Sequence, residues 1–483
     1  SPDYFSQKID GAVNAAIAFR QPGSSIKPIT YAAAFDPTSS APLTPASMIL
    51  DVRSSFPTKE GDPYVPKNYD QQFHGPVSAR VALASSYNIP AVKVLQHVGL
   101  PRMIELARRM GITTFGQPDR YGLALTLGGG EVRLLDMTVA FSVFANGGDK
   151  VDPVAVLQVS DAQGRVVYKA APQPGQRVLD ARVAYLITDI LSDNQARAPA
   201  FGEYSALRLN RPAAAKTGTT TDWRDNWTVG YTPDLVTGVW VGNADNQPME
   251  RVSGVTGAGP IWRDFMQAAL KGKPARSFSR PEGLIELDVC ATSGLLPTPY
   301  CPYTKREIFI AGTQPTQPDN LYRPIAIDVS TGLPATAETP RDRVATRVYL
   351  VLPAEAREWA RDNGIPQLPV ISGQQLVISD QSAVRSPQSA VQITRPDNGT
   401  IYRVTPQTPI ETQQIPVQAI VTDGVSFQVL RILIDDRVIG TFTASPARAW
   451  WTLELGAHTI TAQVIDAQGE MIESEPVQIE VTQ

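Results

Sequence analysis

The hydrophobic pattern changes period along this chain, and no single layer of secondary structure can satisfy all of it. Up to about residue 272, helical runs come first and strand-like runs come after them. ITYAAAFD after Lys27, LLDMTVAFSVFANGG ending at Gly147-Gly148, and ARVAYLITDILSD all read as helices. The stretch Val77 to Ile112 reads as several helices, broken at Asn88-Ile89-Pro90 and at Gly99-Leu100-Pro101. AAAKTGTTT, WTVGYTP and LVTGVWVGN read as strands. From 273 to about 345 proline and turn residues dominate; a strand (VYLVL) and a helix (AEAREWARDNG) come next, and 371–390 is a Ser/Gln-rich linker. From Val391 the pattern becomes short alternating strands, VQAIVTD, FQVLRILID, HTITAQVID and PVQIEV, with turns at Asp423-Gly424 and Gln468-Gly469. About 90 residues of such pattern is the size of an immunoglobulin-like β-sandwich. The expected domains are therefore 1–272, a connector 273–390, and 391–483.

Within the first domain, RQPGSSIKPITYAAAF holds the most reactive arrangement. Ser24 and Lys27 are three apart, so on a helix they share a face, whereas Ser25 points elsewhere. A serine at a helix start lies in the positive end of the helix dipole, which favours an oxyanion. Lysine serves as a base only when burial or a neighbouring cation lowers its pKa. Pro-Gly-Ser is also an ordinary way to begin a helix, so partners elsewhere must decide. Two exist: Ser86-Tyr87-Asn88, and Lys216-Thr217-Gly218-Thr219. Alone, the first could cap a helix and the second could be an edge strand. Together, in this order in one domain, S-x-x-K, S-x-N and K-T-G form the set shared by serine β-lactamases and penicillin-binding proteins.

Composition narrows the function. The net charge of −4 argues against nucleic acid, and no run of 18 apolar residues occurs. The chain does not begin with Met and carries no signal peptide, so it reads as a piece of a longer protein. Only two cysteines are present, Cys290 and Cys301. A zinc site needs four ligands, and His74, His97 and His458 lie far off; a short loop closed by a disulfide fits better than zinc or two free thiols, and places the chain in an oxidising compartment. No metal or organic cofactor is expected. His74 in FHGPV reads as a structural hydrogen-bonding residue, since lysine already supplies a base. Trp450 and Trp451 could form an exposed binding pair, but a core position is the commoner one in a β-sandwich.

RQPGSSIKPITYAAAF, YVPKNYDQQFHGPVSARVALASSYNIPAVKVL, LTLGGGEVRLLDMTVAFSVFANGG and AAAKTGTTTDWRDNWTVGYTPDLVTGVWVGN resemble the transpeptidase domain of class A, bifunctional penicillin-binding proteins. The cysteine segment resembles the region just after that domain in many of them, and the final β-module resembles the C-terminal domain of the penicillin-binding protein 1C type. The resemblance implies a multidomain chain: an α/β (α+β) serine β-lactamase/transpeptidase-like domain with a central antiparallel sheet, then an all-β immunoglobulin-like sandwich. It implies a D,D-transpeptidase with Ser24 as nucleophile and Lys27 as base. Lys216 is then the second cation, and Ser86 the proton relay to the leaving D-Ala amine. Asn88 would hold the donor peptide. Lys216, Thr217 and Thr219 would bind the terminal carboxylate, with an oxyanion hole at the N–H groups of Ser24 and Thr219. Gly218 would let the substrate strand approach. The implied partners are peptidoglycan stem peptides (lipid-linked precursor or nascent glycan), β-lactam antibiotics and, through the C-terminal module, cell-wall synthesis proteins. The implied location is the outer face of the bacterial cytoplasmic membrane, through an anchor outside this sequence, with glycosyltransferase activity in the parent protein. The family's usual D-x-x-T-G hairpin is absent, so the sheet is expected to lack one or two strands. A hydrolytic carboxypeptidase or serine β-lactamase is the competing reading. The E-x-x-L-N pattern of class A β-lactamases is missing, and Glu203 in GEYSALRLN matches it only loosely. A non-enzymatic β-lactam sensor or wall-binding scaffold is a second alternative.

Overall fold

The computed structural model describes residues 3–7, 9–56, 63–171, 173–250, 252–366, 391–396, 400–404, 413–421, 427–466 and 471–482. The linker expected at 371–390 and the turns at Asp423-Gly424 and Gln468-Gly469 lie outside these residues. Two compact units emerge. One is Ser1–Arg323 with Leu350–Gln367, and the other is Pro324–Tyr349 with Leu368–Gln483.

The first unit is built around a three-stranded antiparallel sheet of β7 (Ala214–Thr219), β8 (Asp225–Thr232) and β9 (Leu235–Gly242), in the order β7-β8-β9. β7 is therefore an edge strand of this sheet. Strand alternation sorts its faces. Trp227, Val229 and Tyr231 of β8 are fully buried in one apolar cluster with the helices α1 (Lys27–Ala34), α5 (Leu134–Ala145) and α6 (Ala181–Ser192). Ala213 and Ala215 belong to a second cluster with Trp262 and Met266 of α8 (Ala258–Ala269). Gly230 faces that helix because a Cβ there would lie 2.5 Å from the Trp262 ring. The sheet is thus covered by helices on both faces, an α/β arrangement.

The remaining helices of the unit are α2 (Ala79–Ala84), α3 (Asn88–Val98), α4 (Leu100–Arg109), α7 (Asn194–Phe201) and α9 (Arg357–Asp362). The break expected at Asn88-Ile89-Pro90 falls instead just before Asn88. Pro90 sits in the first turn of α3, where a missing N–H costs no intrahelical bond. The break at Gly99 stands, with φ +81 there. Two strands unforeseen in sequence, β1 (Met48–Asp51) and β2 (Gly75–Ser78), pair antiparallel beneath α2 and α3. Short hairpins pair β3 (Asp149–Lys150) with β6 (Gln176–Arg177), and β4 (Gln158–Ser160) with β5 (Val166–Lys169).

The proline-rich stretch holds more regular structure than its composition suggests. β10 (Leu284–Cys290) and β11 (Thr304–Ile310) form an antiparallel hairpin closed by the disulfide Cys290–Cys301. Arg80 of α2 ties this hairpin to the helices, donating to Glu307 of β11 (2.5 Å) and to Asp189 of α6 (2.6 Å). The helix expected at AEAREWARDNG is α9, and it belongs to the first unit. Its Trp359 lies on Gly75, where a Cβ would meet the ring at 2.3 Å, and its Nε1–H donates to the Phe73 carbonyl (2.8 Å). Among the described residues no helix is long and apolar enough to cross a membrane.

The second unit holds a hairpin of β12 (Tyr322–Asp328) with β13 (Val344–Leu350), and a strand-rich module. In the module, β14 (Val391–Arg395), β16 (Gln414–Val421) and β19 (Ala447–Thr452) form one sheet. The other contains β15 (Thr400–Arg403), β22 (Val477–Thr482), β20 (Gly456–Asp466), β17 (Phe427–Ile434) and β18 (Arg437–Phe442), with β21 (Met471–Glu473) on β20. Inward residues of both sheets share one apolar cluster. The tryptophan pair divides by alternation: Trp451 is buried in that cluster, whereas Trp450 is 58% exposed. The core expectation therefore fits Trp451 and fails for Trp450. His458 is buried beside Trp451 and paired with Asp435 (2.6 Å).

Candidate active site

Ser24 lies in a 3₁₀ turn, Gly23–Ile26, that runs directly into α1. The turn is pressed against the end of β7. A Cβ on Gly23, whose φ is +55, would lie 2.7 Å from the Thr219 backbone nitrogen. A Cβ on Gly218 would lie 2.1 Å from the Pro22 carbonyl oxygen. No side chain fits at either place, so glycine is required on both sides of this contact. Trp227 reinforces it, donating from Nε1 to the Gln21 carbonyl (2.8 Å). Gly218 thus permits the close approach of the Ser24 turn itself.

Ser25 turns away and its Oγ donates to Pro22 (2.7 Å). Ser24 is half-buried, and its hydroxyl makes no hydrogen bond among the described residues. Ser24 and Lys27 follow one another along the same turn and helix, but no hydrogen bond joins them, and Lys27 is engaged elsewhere. Its Nζ is buried and donates to the Ser86 carbonyl (2.6 Å), the Tyr87 carbonyl (3.0 Å) and Asn88 Oδ1 (2.7 Å). Three acceptors saturate an ammonium, so this is the resting, proton-holding geometry. The electrostatics press the other way. Burial, and then the charge of Lys216, hold the Lys27 pKa well below the usual lysine value, against the pull of Asp51.

Ser86 joins the two lysines. Its φ of +63 is left-handed, which is strained for a residue with a side chain. That conformation sends its carbonyl to Lys27 and leaves its Oγ to accept from Lys216 Nζ (2.6 Å). Lys216 is buried too, and also donates to the Thr217 carbonyl (3.1 Å). Burial, and next the charge of Arg197, lower its pKa to about 7. Arg197, on α7 and 2% exposed, was not foreseen in sequence because nothing local marks it. The three cations form a cascade, in which Arg197 presses on Lys216 and Lys216 on Lys27.

The structure therefore brings Lys27, Ser86, Asn88 and Lys216 into one hydrogen-bonded cluster beside the Ser24 turn. It does not join the hydroxyls of Thr217 and Thr219 to Lys216. Alternation along β7 puts Lys216 and Gly218 on the α1 side and the two threonines on the other. There Thr219 Oγ1 accepts from the Gly254 N–H (2.9 Å). Asn88 is engaged at both ends, its Nδ2 donating to the Lys67 carbonyl (2.7 Å). His74 takes the structural role expected of it, bonded to Asp51 (2.5 Å) and Asp70 (3.0 Å). A polar cavity of about 270 Å³ opens between Arg20, Glu131, Asp222, Arg224 and Asp225. Among the described residues no group of three or more His, Cys, Asp or Glu could hold a metal ion.

Residues 6–267 match the family described as "Penicillin binding protein transpeptidase domain". Residues 280–324 match "Penicillin-binding protein 1A, C-terminal domain", and residues 380–479 match "Penicillin-Binding Protein C-terminus Family". The chain is 32% identical over 320 residues to penicillin-binding protein 2D of Bacillus subtilis, covering 65% of this chain and 44% of that one. It is 35% identical over 290 residues to penicillin-binding protein 1A of Neisseria lactamica, covering 59% of this chain and 35% of that one. The chain thus spans less than half the length of these relatives. Penicillin-binding protein 1A of Haemophilus influenzae superposes with a TM-score of 0.58 at 30% identity, over 64% of this chain and 51% of that one.

Proposed function

This chain belongs to the penicillin-binding protein transpeptidase family, and from that premise we propose that it is a peptidoglycan D,D-transpeptidase acting through a serine acyl-enzyme. The observation that carries the proposal is the pair of buried lysines meeting at Ser86 beside the Ser24 turn. Such an arrangement has no structural need of two cations, and it gives a lysine the lowered pKa that a base requires.

In this reading Ser24 Oγ attacks the carbonyl of the penultimate D-Ala while its proton passes to Lys27 in the amine form. The carbonyl oxygen takes up charge in the hole between the Ser24 and Thr219 N–H groups, each such donor being worth about 3–4 kcal/mol. Ser86 relays the proton to the nitrogen of the terminal D-Ala as the C–N bond breaks. An acceptor amine then attacks the ester, forming the new C–N bond and releasing Ser24. Asn88 aligns the donor backbone. Lys216, with Thr217 and Thr219 from the open edge of β7, receives the terminal carboxylate. A β-lactam acylates Ser24 by the same step, and its opened ring stays tethered as a leaving group that cannot diffuse away. Water in place of the amine gives carboxypeptidation as a side reaction.

In the proposed division, residues 1–272 carry the chemistry, 273–390 connect, and 391–483 form an immunoglobulin-like module that docks cell-wall synthesis proteins. The two sheets around one core support the immunoglobulin-like reading of the last module. Work outside the cytoplasm agrees with the Cys290–Cys301 disulfide. A longer parent would supply the membrane anchor and the glycosyltransferase. The test is a stem-peptide analogue ending in D-Ala-D-Ala, given with an acceptor amine. Release of D-Ala with formation of the amide product, abolished by Ser24→Ala, is the expected result. Release that persists in Ser24→Ala would overturn the assignment.

A further inference from the structure

The YVPKNYD segment takes no part in the acyl transfer itself, yet it reaches the catalytic cluster. Asn68 is 2% exposed, and its Oδ1 accepts the backbone N–H of Asn88 (2.7 Å). That N–H belongs to the first turn of α3 and has no intrahelical acceptor. The neighbouring Lys67 carbonyl holds Asn88 Nδ2. Adjacent residues therefore fix both the backbone and the side chain of Asn88, whose Oδ1 accepts a hydrogen bond from Lys27 Nζ (2.7 Å). Asn68 is itself fixed by donating Nδ2 to Asp51 Oδ2 (2.7 Å) and to the Gln72 carbonyl (2.9 Å). Asp51 is fully buried, and its Oδ2 also accepts the His74 backbone N–H (3.2 Å). The ring of His74 stacks on Tyr87 at 3.9 Å, and the Tyr87 carbonyl is another acceptor of Lys27.

We propose that Asn68, anchored by Asp51 and His74, is a positioning residue for the transfer reaction: it sets where Asn88 holds Lys27 relative to Ser24. The proposal rests on the reading of Ser24 as nucleophile and Lys27 as base. Asn68 touches neither substrate nor reacting atoms, so it acts through orientation. A displaced base slows the acylation step, whereas ligand capture at Lys216 is left alone.

The experiment is acylation of the purified protein by a fluorescent penicillin, with the acylation rate constant separated from the pre-acylation dissociation constant. Wild type must be acylated; if it is not, the transpeptidase reading fails and this inference with it. Given an active wild type, Asn68→Ala is expected to lower the rate constant about tenfold or more, with the dissociation constant within about twofold. Asn68→Asp adds a second readout. One carboxylate oxygen can still accept from Asn88, but the other then faces Asp51; two carboxylates in contact hold a shared proton to a pH above the usual carboxylate range and repel once it is lost. The other titratable groups facing this point are His74, Asp70, Tyr87, Lys27 and Tyr31; a second ionised carboxylate raises the Lys27 pKa as the charge of Asp51 does, which slows the base further once the shared proton is lost and acts in the same direction. The ratio of Asn68→Asp to wild-type rate is expected to climb as pH falls, while that of Asn68→Ala stays low throughout. A wild-type rate in a folded Asn68→Ala, or a pH-independent ratio for Asn68→Asp, would overturn the proposal. Should Asn68→Ala not fold, the Asn68→Asp pH series alone decides.

Discussion

Gly218→Ala places one methyl group at the tightest backbone contact of the site. The new Cβ would stand 2.1 Å from the Pro22 carbonyl oxygen and 3.1 Å from the Ser25 nitrogen. Both obstacles are main chain, so no side chain can swing aside. Real Cβ contacts essentially never fall under 3.0 Å, so β7 and the Ser24 turn must part by about 1 Å. Trp227, paired with Gly218 across β8 and bonded to Gln21, resists that movement. Overpacking of this kind costs about 1–3 kcal/mol of stability. The larger effect falls on chemistry, because the Ser24 turn moves away from the Thr219 N–H and from Lys216, both on β7. A displacement of about 1 Å typically costs about 100-fold in rate, or about 2.7 kcal/mol at the barrier. Stopped-flow acylation by a fluorescent penicillin reads this directly, with a thermal melt to show that the variant is folded. A folded Gly218→Ala that acylates within about threefold of wild type would refute the geometric argument.

The same contacts lead to three further outcomes. The two lysines act on different constants: as pH rises, Lys27 sheds its proton and acylation quickens, while Lys216 loses its charge near pH 7 and capture of a carboxylate ligand weakens; the rate constant and the dissociation constant are therefore both expected to climb between about pH 5 and about pH 9, and either one staying flat or falling would contradict this. The same lowered pKa of Lys216 makes the unfolded chain bind more protons between about 7 and 10.5, so Lys216 burdens the fold with a penalty that shrinks as pH rises across that window; replacing it with Met is expected to raise the melting temperature most at the low-pH end, and an equal gain at all pH values would contradict this. Arg80→Ala leaves Glu307, whose side chain is 1% exposed, with Lys305 at 3.5 Å and the Ile308 backbone N–H at 3.0 Å; a loss of about 3 kcal/mol is expected in denaturant titration, and an unchanged midpoint would show that the ion cluster is not what holds the β10–β11 hairpin.

Chemistry that is written locally is legible in the sequence. Ser24 and Lys27, Ser86 and Asn88, and the run from Lys216 to Thr219 are short-range patterns, and the fold brings Lys27, Ser86, Asn88 and Lys216 together beside Ser24. Helices with clear start and stop signals, such as α5 before Gly147 and α6 after Asp180, are legible for the same reason. Long-range effects are hidden. Arg197, Asp51 and Asn68 matter because distant segments bury them beside the lysines, and no spacing announces that. The saturation of Lys27 by three acceptors cannot be read from an i, i+3 relation. Pro90 reads as a break because a proline that starts a helix and one that ends it look alike in one dimension. The β10–β11 hairpin is masked by its proline-rich surroundings, since strand pairing depends on partners rather than on local composition.

The central claim is that Ser24 is the nucleophile of an acyl-transfer site tuned by Lys27 and Lys216. The most direct measurement is intact-protein mass spectrometry after addition of a β-lactam, tracked from minutes to hours, with Ser24→Ala in parallel. The account predicts one covalent adduct on the wild type that persists for hours and none on Ser24→Ala. An adduct that vanishes within minutes would make the protein a hydrolase, and an equal adduct on Ser24→Ala would remove Ser24 from the chemistry altogether.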